Sequence, residues 1–239
     1  MEQTLRLAES LGCVHHVAPP DILSPKANRS DLVYLIYSVV RWYFVLDFES
    51  TCEIKPNSDT KAEIIEFPVV VVQAETGQIV DEFHRYVRPT ESPILSDFCK
   101  KLTGISQRTV DTSPDLKHVL KEFENWLKLK KKEFNCVFKL DSSNAAAFVT
   151  WTDWDIRTCL WNECQRKHLS LPVDLLTRID LKAVFKQWCA AGQMGIKTEF
   201  QGRLQDALNA AGLTFTGRPH SGIADARNTA ALLNRIISY

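Results

Sequence analysis

From Trp42 to Ile237 the apolar residues fall in short runs separated by charged or turn-forming residues, and the spacing inside each run predicts its element. Tyr43–Asp47 reads as a central strand. Ile64–Gln73 is apolar and valine-rich, Thr76-Gly77 makes a turn, and Asp81–Val87 follows. Together they predict a strand entering a hairpin. Pro89 and Pro93 end that region, and Leu95–Leu102 reads as a short helix stopped by Gly104. Ser113-Pro114 supplies an N-cap and a first-turn proline for a long helix to about Leu129, with Leu116, Leu120, Phe123 and Leu127 as its apolar face. Phe134–Asn144 shows no period and reads as an irregular loop. Ala145–Trp151 is a strand and Asp155–Arg166 a helix, while Ile179–Trp188 begins as a strand and turns helical. Gly202–Ala211 is a helix ended by Gly212, and Ile223–Ile237 is the last helix. A three-stranded meander followed by strands alternating with helices predicts an α/β fold, a mixed five-stranded sheet flanked by helices.

The first 41 residues break this pattern. They hold Pro19, Pro20 and Pro25 and have little periodicity after Leu11, so they read as an N-terminal extension ahead of a domain over residues 42–239. Ser30-Asp31 predicts the cap of a short helix over Leu32–Val40. Leu32–Leu46 is almost continuously apolar, but it contains Arg41 and is shorter than the ~20 residues a membrane span needs. Met1–Ser10 carries Glu2, Arg6 and Glu9 and does not read as a secretory signal.

Composition narrows the function. An apolar fraction of 45% with 12 Phe and 6 Trp supports a packed core. The formal net charge is zero, which argues against a broad electrostatic nucleic-acid binder but not against an enzyme gripping a few nucleotides. The 7 cysteines are odd in number, form no CxxC, and Cys159 and Cys164 are spaced for neither a zinc finger nor a thioredoxin motif. Reduced thiols in a cytoplasmic or nuclear protein are the expectation. Lys128–Glu133 is a charge run, read as a solvated helix end with RNA contact as the alternative.

Three clusters carry candidate chemistry. Asp47 and Glu49 alternate along the first strand, so both project from the same face at its end. Two like charges there are costly unless a cation lies between them, and carboxylate oxygens suit a hard divalent metal. Trp151-Thr152-Asp153-Trp154-Asp155 follows the fourth strand, where α/β sites gather, although either aspartate could be only a helix cap. Trp151 and Trp154 could stack on bases or be buried beneath the site. In Pro219–Asn228, His220 precedes the last helix and Asp225 lies in its first turn, where an acid is often a dipole partner.

Taken in order, Asp-x-Glu on the first strand, Asp after the fourth and His-x4-Asp at the last helix resemble the DEDDh exonucleases. These are a branch of the ribonuclease-H-like fold, and within it the chain is similar to the Eri (enhanced RNAi) 3′→5′ exoribonucleases. The resemblance includes Asp47–Cys52, Glu63–Pro68, Thr76–Ile79, Pro93–Cys99, Leu102–Ile105, Val149–Asp155 and Gly217–Asn228, and covers about Trp42–Tyr239. No segment resembles the SAP-type module or zinc-binding tail of some relatives.

That resemblance implies phosphodiester hydrolysis by two metals roughly 3.5–4 Å apart. Asp47, Glu49, Asp155 and Asp225 match the family's metal-binding carboxylates; the choice of Asp155 over Asp153 comes from the family pattern. Mg2+ is the expected ion, with Mn2+ as a substitute. His220 matches the general base and also faces substrate, suited because imidazole changes charge near neutral pH. Glu49 would both bind metal and orient the attacking water. Phe48, Ser50, Leu102 and Thr103 are expected against the terminal nucleotide, although Leu102 could be a core residue only. The expected partner is an RNA 3′ end, single-stranded or a short overhang. A 3′→5′ DNA exonuclease and an inactive RNA-binding scaffold are the alternatives, the latter disfavoured because no carboxylate or histidine is missing.

Overall fold

The structure is a computed structural model that describes residues 14–15, 39–55, 61–192 and 199–238. Its strands are β1 Val14–His15, β2 Val40–Leu46, β3 Glu49–Ser50, β4 Ile64–Gln73, β5 Ile79–Tyr86, β6 Ala145–Thr150 and β7 Arg178–Asp180. The helices are α1 Asp97–Thr103, α2 Gln107–Asp111, α3 Leu116–Glu133, α4 Trp161–Arg166, α5 Leu181–Ala190, α6 Leu204–Ala210 and α7 Gly222–Ile237. The helix expected over Leu32–Val40 lies outside the described residues apart from Val39 and Val40, the second of which opens β2.

All five expected strands are present, with two two-residue pieces added. β2 lies at the centre, parallel to β6 and antiparallel to β4. β7 runs parallel to β6 and β5 antiparallel to β4. β1, drawn from the first 41 residues, pairs antiparallel with β7. β3 continues β2 along the same side of β4: Leu46 pairs with Val69 and Glu49 with Glu66 in one register. The ladder lapses at Asp47–Phe48, where that register brings Pro68, which has no N–H to give, opposite Asp47.

Alternation along β2 sorts its side chains into two layers. Tyr43 and Val45 join Val70, Val72, Ala147 and Val149 under the helices α5, α6 and α7. Phe44, Leu46 and Phe48 join Phe67, Val69, Val71 and Phe148 under α3 and the helix after β6. Asp47 and Glu49 inherit the first face, the one that α7 covers.

Several local expectations are corrected. The long helix is capped by Asp115, whose carboxylate accepts from His118 N–H, so it starts two residues after Ser113-Pro114 and runs on to Glu133. The hairpin strand starts at Ile79 rather than Asp81. The Phe134–Asn144 loop is irregular but packed, with Phe138 stacked on Phe148 at 4.7 Å. The Asp155–Arg166 helix opens with a π-helical turn over Asp155–Leu160. In the charge run, Lys130 pairs with Asp81 and Glu133, and Lys131 with Asp174. That helix end meets the start of β2, where Phe134 stacks on Trp42, far along the sheet from Asp47. Among the described residues no helix is long and apolar enough to cross a membrane.

Candidate active site

The lapse after Leu46 lets three parts of the chain converge. β6 ends at Thr150 while the central strand continues, and the Phe48 N–H donates to Asp155 Oδ1 at 2.9 Å. This hydrogen bond brings the first acid of the π-helical turn to the strand that carries Asp47 and Glu49. π-Turns inside helices concentrate at functional sites. On the other side α7 starts against the same strand. A Cβ on Gly222 would meet Asp47 O at 2.6 Å, so only glycine allows that approach.

Glu66 fixes the start of α7. This buried carboxylate on β4 accepts from Gly222 N at 2.9 Å and Ile223 N at 3.2 Å, and pairs with His84 Nε2 at 2.8 Å. It caps the helix from a different strand, and negative charge at a helix N-terminus is favourable. Asp225, in that first turn, accepts the His220 N–H at Oδ2, 2.9 Å away. His220 is held at φ 62, an uncommon conformation for a residue with a side chain, in an exposed turn opened by Gly217 at φ 92. Arg218 ties this turn to the end of α1, donating from Nη2 to Lys101 O at 2.6 Å.

A cleft of ≈ 500 Å³ collects these groups. Asp47, Phe48, Glu49, Ser50, Leu102, Asp155, His220 and Asp225 all line it. One donor atom each from Glu49, His220 and Asp225 lies within 4.8 Å of the others. Asp47 and Asp155 face the same space outside that tight group. Thr103 is not brought to the cleft: it is buried, and its hydroxyl donates to Cys99 O and accepts from Ile105 N, closing the end of α1. Trp151 is buried in the cleft floor, whereas Trp154 is 45% exposed at its edge. Asp153 is engaged elsewhere, its oxygens 2.5 Å and 3.2 Å from the Arg178 guanidinium in a buried pair.

The carboxyls of the cleft are buried and crowded. Burial, then repulsion from Asp155, Asp225, Glu49 and Glu66, pushes the Asp47 carboxyl well above the ordinary range. Burial and repulsion from Asp225 and Glu66 push Glu49 up to about 8. Burial raises Asp155 to about 7 against the stabilising Phe48 hydrogen bond, and Asp225 to about 7 against the hydrogen bond from His220. Four carboxyls crowded this way hold their protons near neutral pH unless compensating positive charge arrives. The donors are hard oxygens with one imidazole beside them, so the residues fit divalent cations.

The family model described as RNase T exonuclease matches residues 44–233. The chain belongs to this exonuclease family. It is 43% identical over 241 residues to ERI1 exoribonuclease 2 of Danio rerio, covering 98% of this chain and 40% of that protein. That coverage reaches well into residues 1–41. The 3'-5' exonuclease Snipper of Drosophila melanogaster is 41% identical, covering 90% of this chain and 75% of its own length. The crystal structure of the nuclease domain of 3'hExo, a DEDDh family member bound to rAMP, superposes with a TM-score of 0.71 at 33% identity, covering 83% of this chain and 92% of that one. The ribonuclease-H-like fold is thereby established. The chain spans only 33–40% of the length of the ERI1 exoribonuclease 2 relatives it matches.

Some contributors were not assigned a role from sequence. Glu66 had a signal, an acid inside a strand otherwise apolar from Ile64 to Val72. Glu63 precedes that strand and had no such signal; it is buried and accepts from the N–H groups of Thr90, Glu91 and Ser92 and from Lys167. Lys182 and Arg203 also line the cleft, and nothing in their local sequence distinguishes them from other surface cations.

Proposed function

We propose that this chain is a metal-dependent 3′→5′ exoribonuclease that hydrolyses single-stranded or short-overhang RNA 3′ ends to nucleoside 5′-monophosphates. Two Mg2+ serve it, and Mn2+ substitutes. The observation that carries this reading is the convergence of Asp47, Glu49, Asp155 and Asp225 in one cleft with His220 beside them. The names of the exoribonuclease relatives support the choice of RNA.

Asp47, Glu49, Asp155 and Asp225 hold the cations in this scheme. When bound, these supply Lewis-acid stabilisation of the charge that builds on the scissile phosphate and leaving oxygen. The protein's own groups do the rest. His220 reaches the cleft from an exposed turn, and a ring nitrogen takes the proton of the attacking water. Glu49, within 4.8 Å of that ring, orients the same water. As the water oxygen bonds to phosphorus the P–O3′ bond breaks, and the proton passes to O3′ of the shortened chain. Phe48, Ser50 and Leu102 form the wall on which the terminal nucleoside rests, while Thr103 supports Leu102 by closing its helix.

The test gives purified protein matched 3′-labelled and 5′-labelled RNA and DNA with Mg2+. Release of the 3′ label as a mononucleotide, faster from RNA than DNA, is expected. Faster loss of DNA would replace this reading with a DNA exonuclease, and full activity of Asp47→Ala would refute the metal scheme.

A further inference from the structure

A strand entering this cleft brings a negative charge with every nucleotide, into a site that already holds four carboxylates. The carboxylates and what they bind address the scissile phosphate. The next phosphate along the strand needs a cation of its own.

Two such side chains line the cleft, Lys182 and Arg203. Lys182 is the second residue of α5. Its backbone N–H donates to Trp151 O at 2.9 Å, and its Nζ lies 5.8 Å from the centre of the Trp151 ring, which forms part of the cleft floor. Arg203 precedes α6; its backbone N–H donates to Asp206 Oδ2 at 2.8 Å. Neither side chain is in an ion pair with a carboxylate among the described residues, unlike Arg85, Arg166, Lys167, Arg178 and Arg227, which each hold one. Exposed cations need no partner for folding, but two of them lining a cleft attract a polyanion. On the opposing wall, Leu102 is backed by the Arg218 link between the His220 turn and α1. The cleft thus offers an apolar group in Leu102 and cations in Lys182 and Arg203.

We propose that Lys182 and Arg203 seat the backbone phosphate immediately 5′ of the scissile one. The strand then enters over α5 and α6, and its 3′-terminal nucleoside stops against Leu102. The seat deepens the exonuclease reading above and rests on it for the position of the scissile bond.

Two substrates test it. An RNA octamer presents the upstream phosphate; the p-nitrophenyl ester of a nucleoside 5′-monophosphate presents the terminal nucleotide and a cleavable diester without it. Lys182→Ala and Arg203→Ala each raise KM for the octamer about five- to tenfold with little change in kcat, and lower the ratio of octamer to ester kcat/KM by the same factor. The slope of log KM against log salt falls by about 0.7 per cation removed. Lys182→Arg restores the octamer KM. Equal losses on octamer and ester, or an unchanged octamer KM in both variants, would overturn the seat. Binding of a 5′-fluorescein octamer to the His220→Ala protein, followed by anisotropy, reads the seat without turnover: Lys182→Ala weakens it about five- to tenfold if the seat exists, and leaves it unchanged if it does not. Failure of the wild type to hydrolyse either substrate would instead count against the exonuclease reading.

Discussion

Glu49 shows at the scale of one residue how function is held against stability. Its carboxyl is buried and pushed up to about 8, so the metal-free fold holds a proton there that the unfolded chain releases near pH 4.5. Asp155 and Asp225, raised to about 7, do the same. Because the folded state binds more protons at these groups, their contribution to metal-free stability is greatest at and below the ordinary carboxylate range and falls as pH rises from about 4 to about 8. Thermal unfolding in EDTA should therefore show a lower Tm at pH 8 than at pH 5.5, and added Mg2+ should raise Tm more at pH 8. A flat profile would contradict the crowding. Glu49→Gln should raise the EDTA Tm at pH 8 while reducing nuclease activity by more than about 100-fold, beyond what loss of a supporting contact gives at a metal site. His220→Ala, with an exposed side chain, should cost about 10²–10⁴ in kcat and leave Tm nearly unchanged.

Among the elements, α7 is the one whose placement decides the site. Its start is set by Glu66 from β4 and by the absence of a Cβ at Gly222, which presses on Asp47 O. Gly222→Ala must push the helix away from the strand that carries Asp47 and Glu49. The expected cost is about 1–3 kcal/mol in urea unfolding, with a larger fractional loss of kcat because Asp225 and His220 move with the helix. Unchanged kcat would mean the contact is not a positioning one. Helix α7 itself was legible in its apolar spacing. The role of Glu66 was not, because capping normally comes from the residue before a helix, and here it comes from a strand more than 150 positions away.

At the scale of the whole molecule, a buried polar cluster away from the cleft links distant parts of the chain. Lys167 Nζ lies 2.6 Å from both Glu63 and Glu163, two carboxylates with no exposed surface. Glu63 also accepts three backbone N–H groups from residues 90–92, and Glu163 accepts the Ile64 N–H at 2.7 Å. Lys167→Met would strand both carboxylates, and a loss of about 3–5 kcal/mol in urea unfolding is expected. A loss under 1 kcal/mol would show that other groups compensate. This cluster joins β4 to the helix after β6 and to the loop before α1, which is how the second layer of the sheet is tied to the wall that bears Leu102.

The sequence by itself determined the element types, the alternating faces of β2 and the order of the acids, because periodicity and motif spacing are local properties of the chain. It paired Asp47 with Glu49 through the two-residue repeat of a strand, and through family likeness it named Asp155, His220 and Asp225. Only the tertiary structure decided what those acids face. It set Asp153 on Arg178 and left Asp155 for the cleft, turned Thr103 into a helix end, opened Asp155's helix with a π-turn and gave Glu66 to α7. It also placed Lys182 and Arg203 at the cleft without a carboxylate ion pair among the described residues. Each of these outcomes depends on which groups meet across the sheet, and such meetings balance burial, charge and hydrogen bonding among residues that local spacing does not connect.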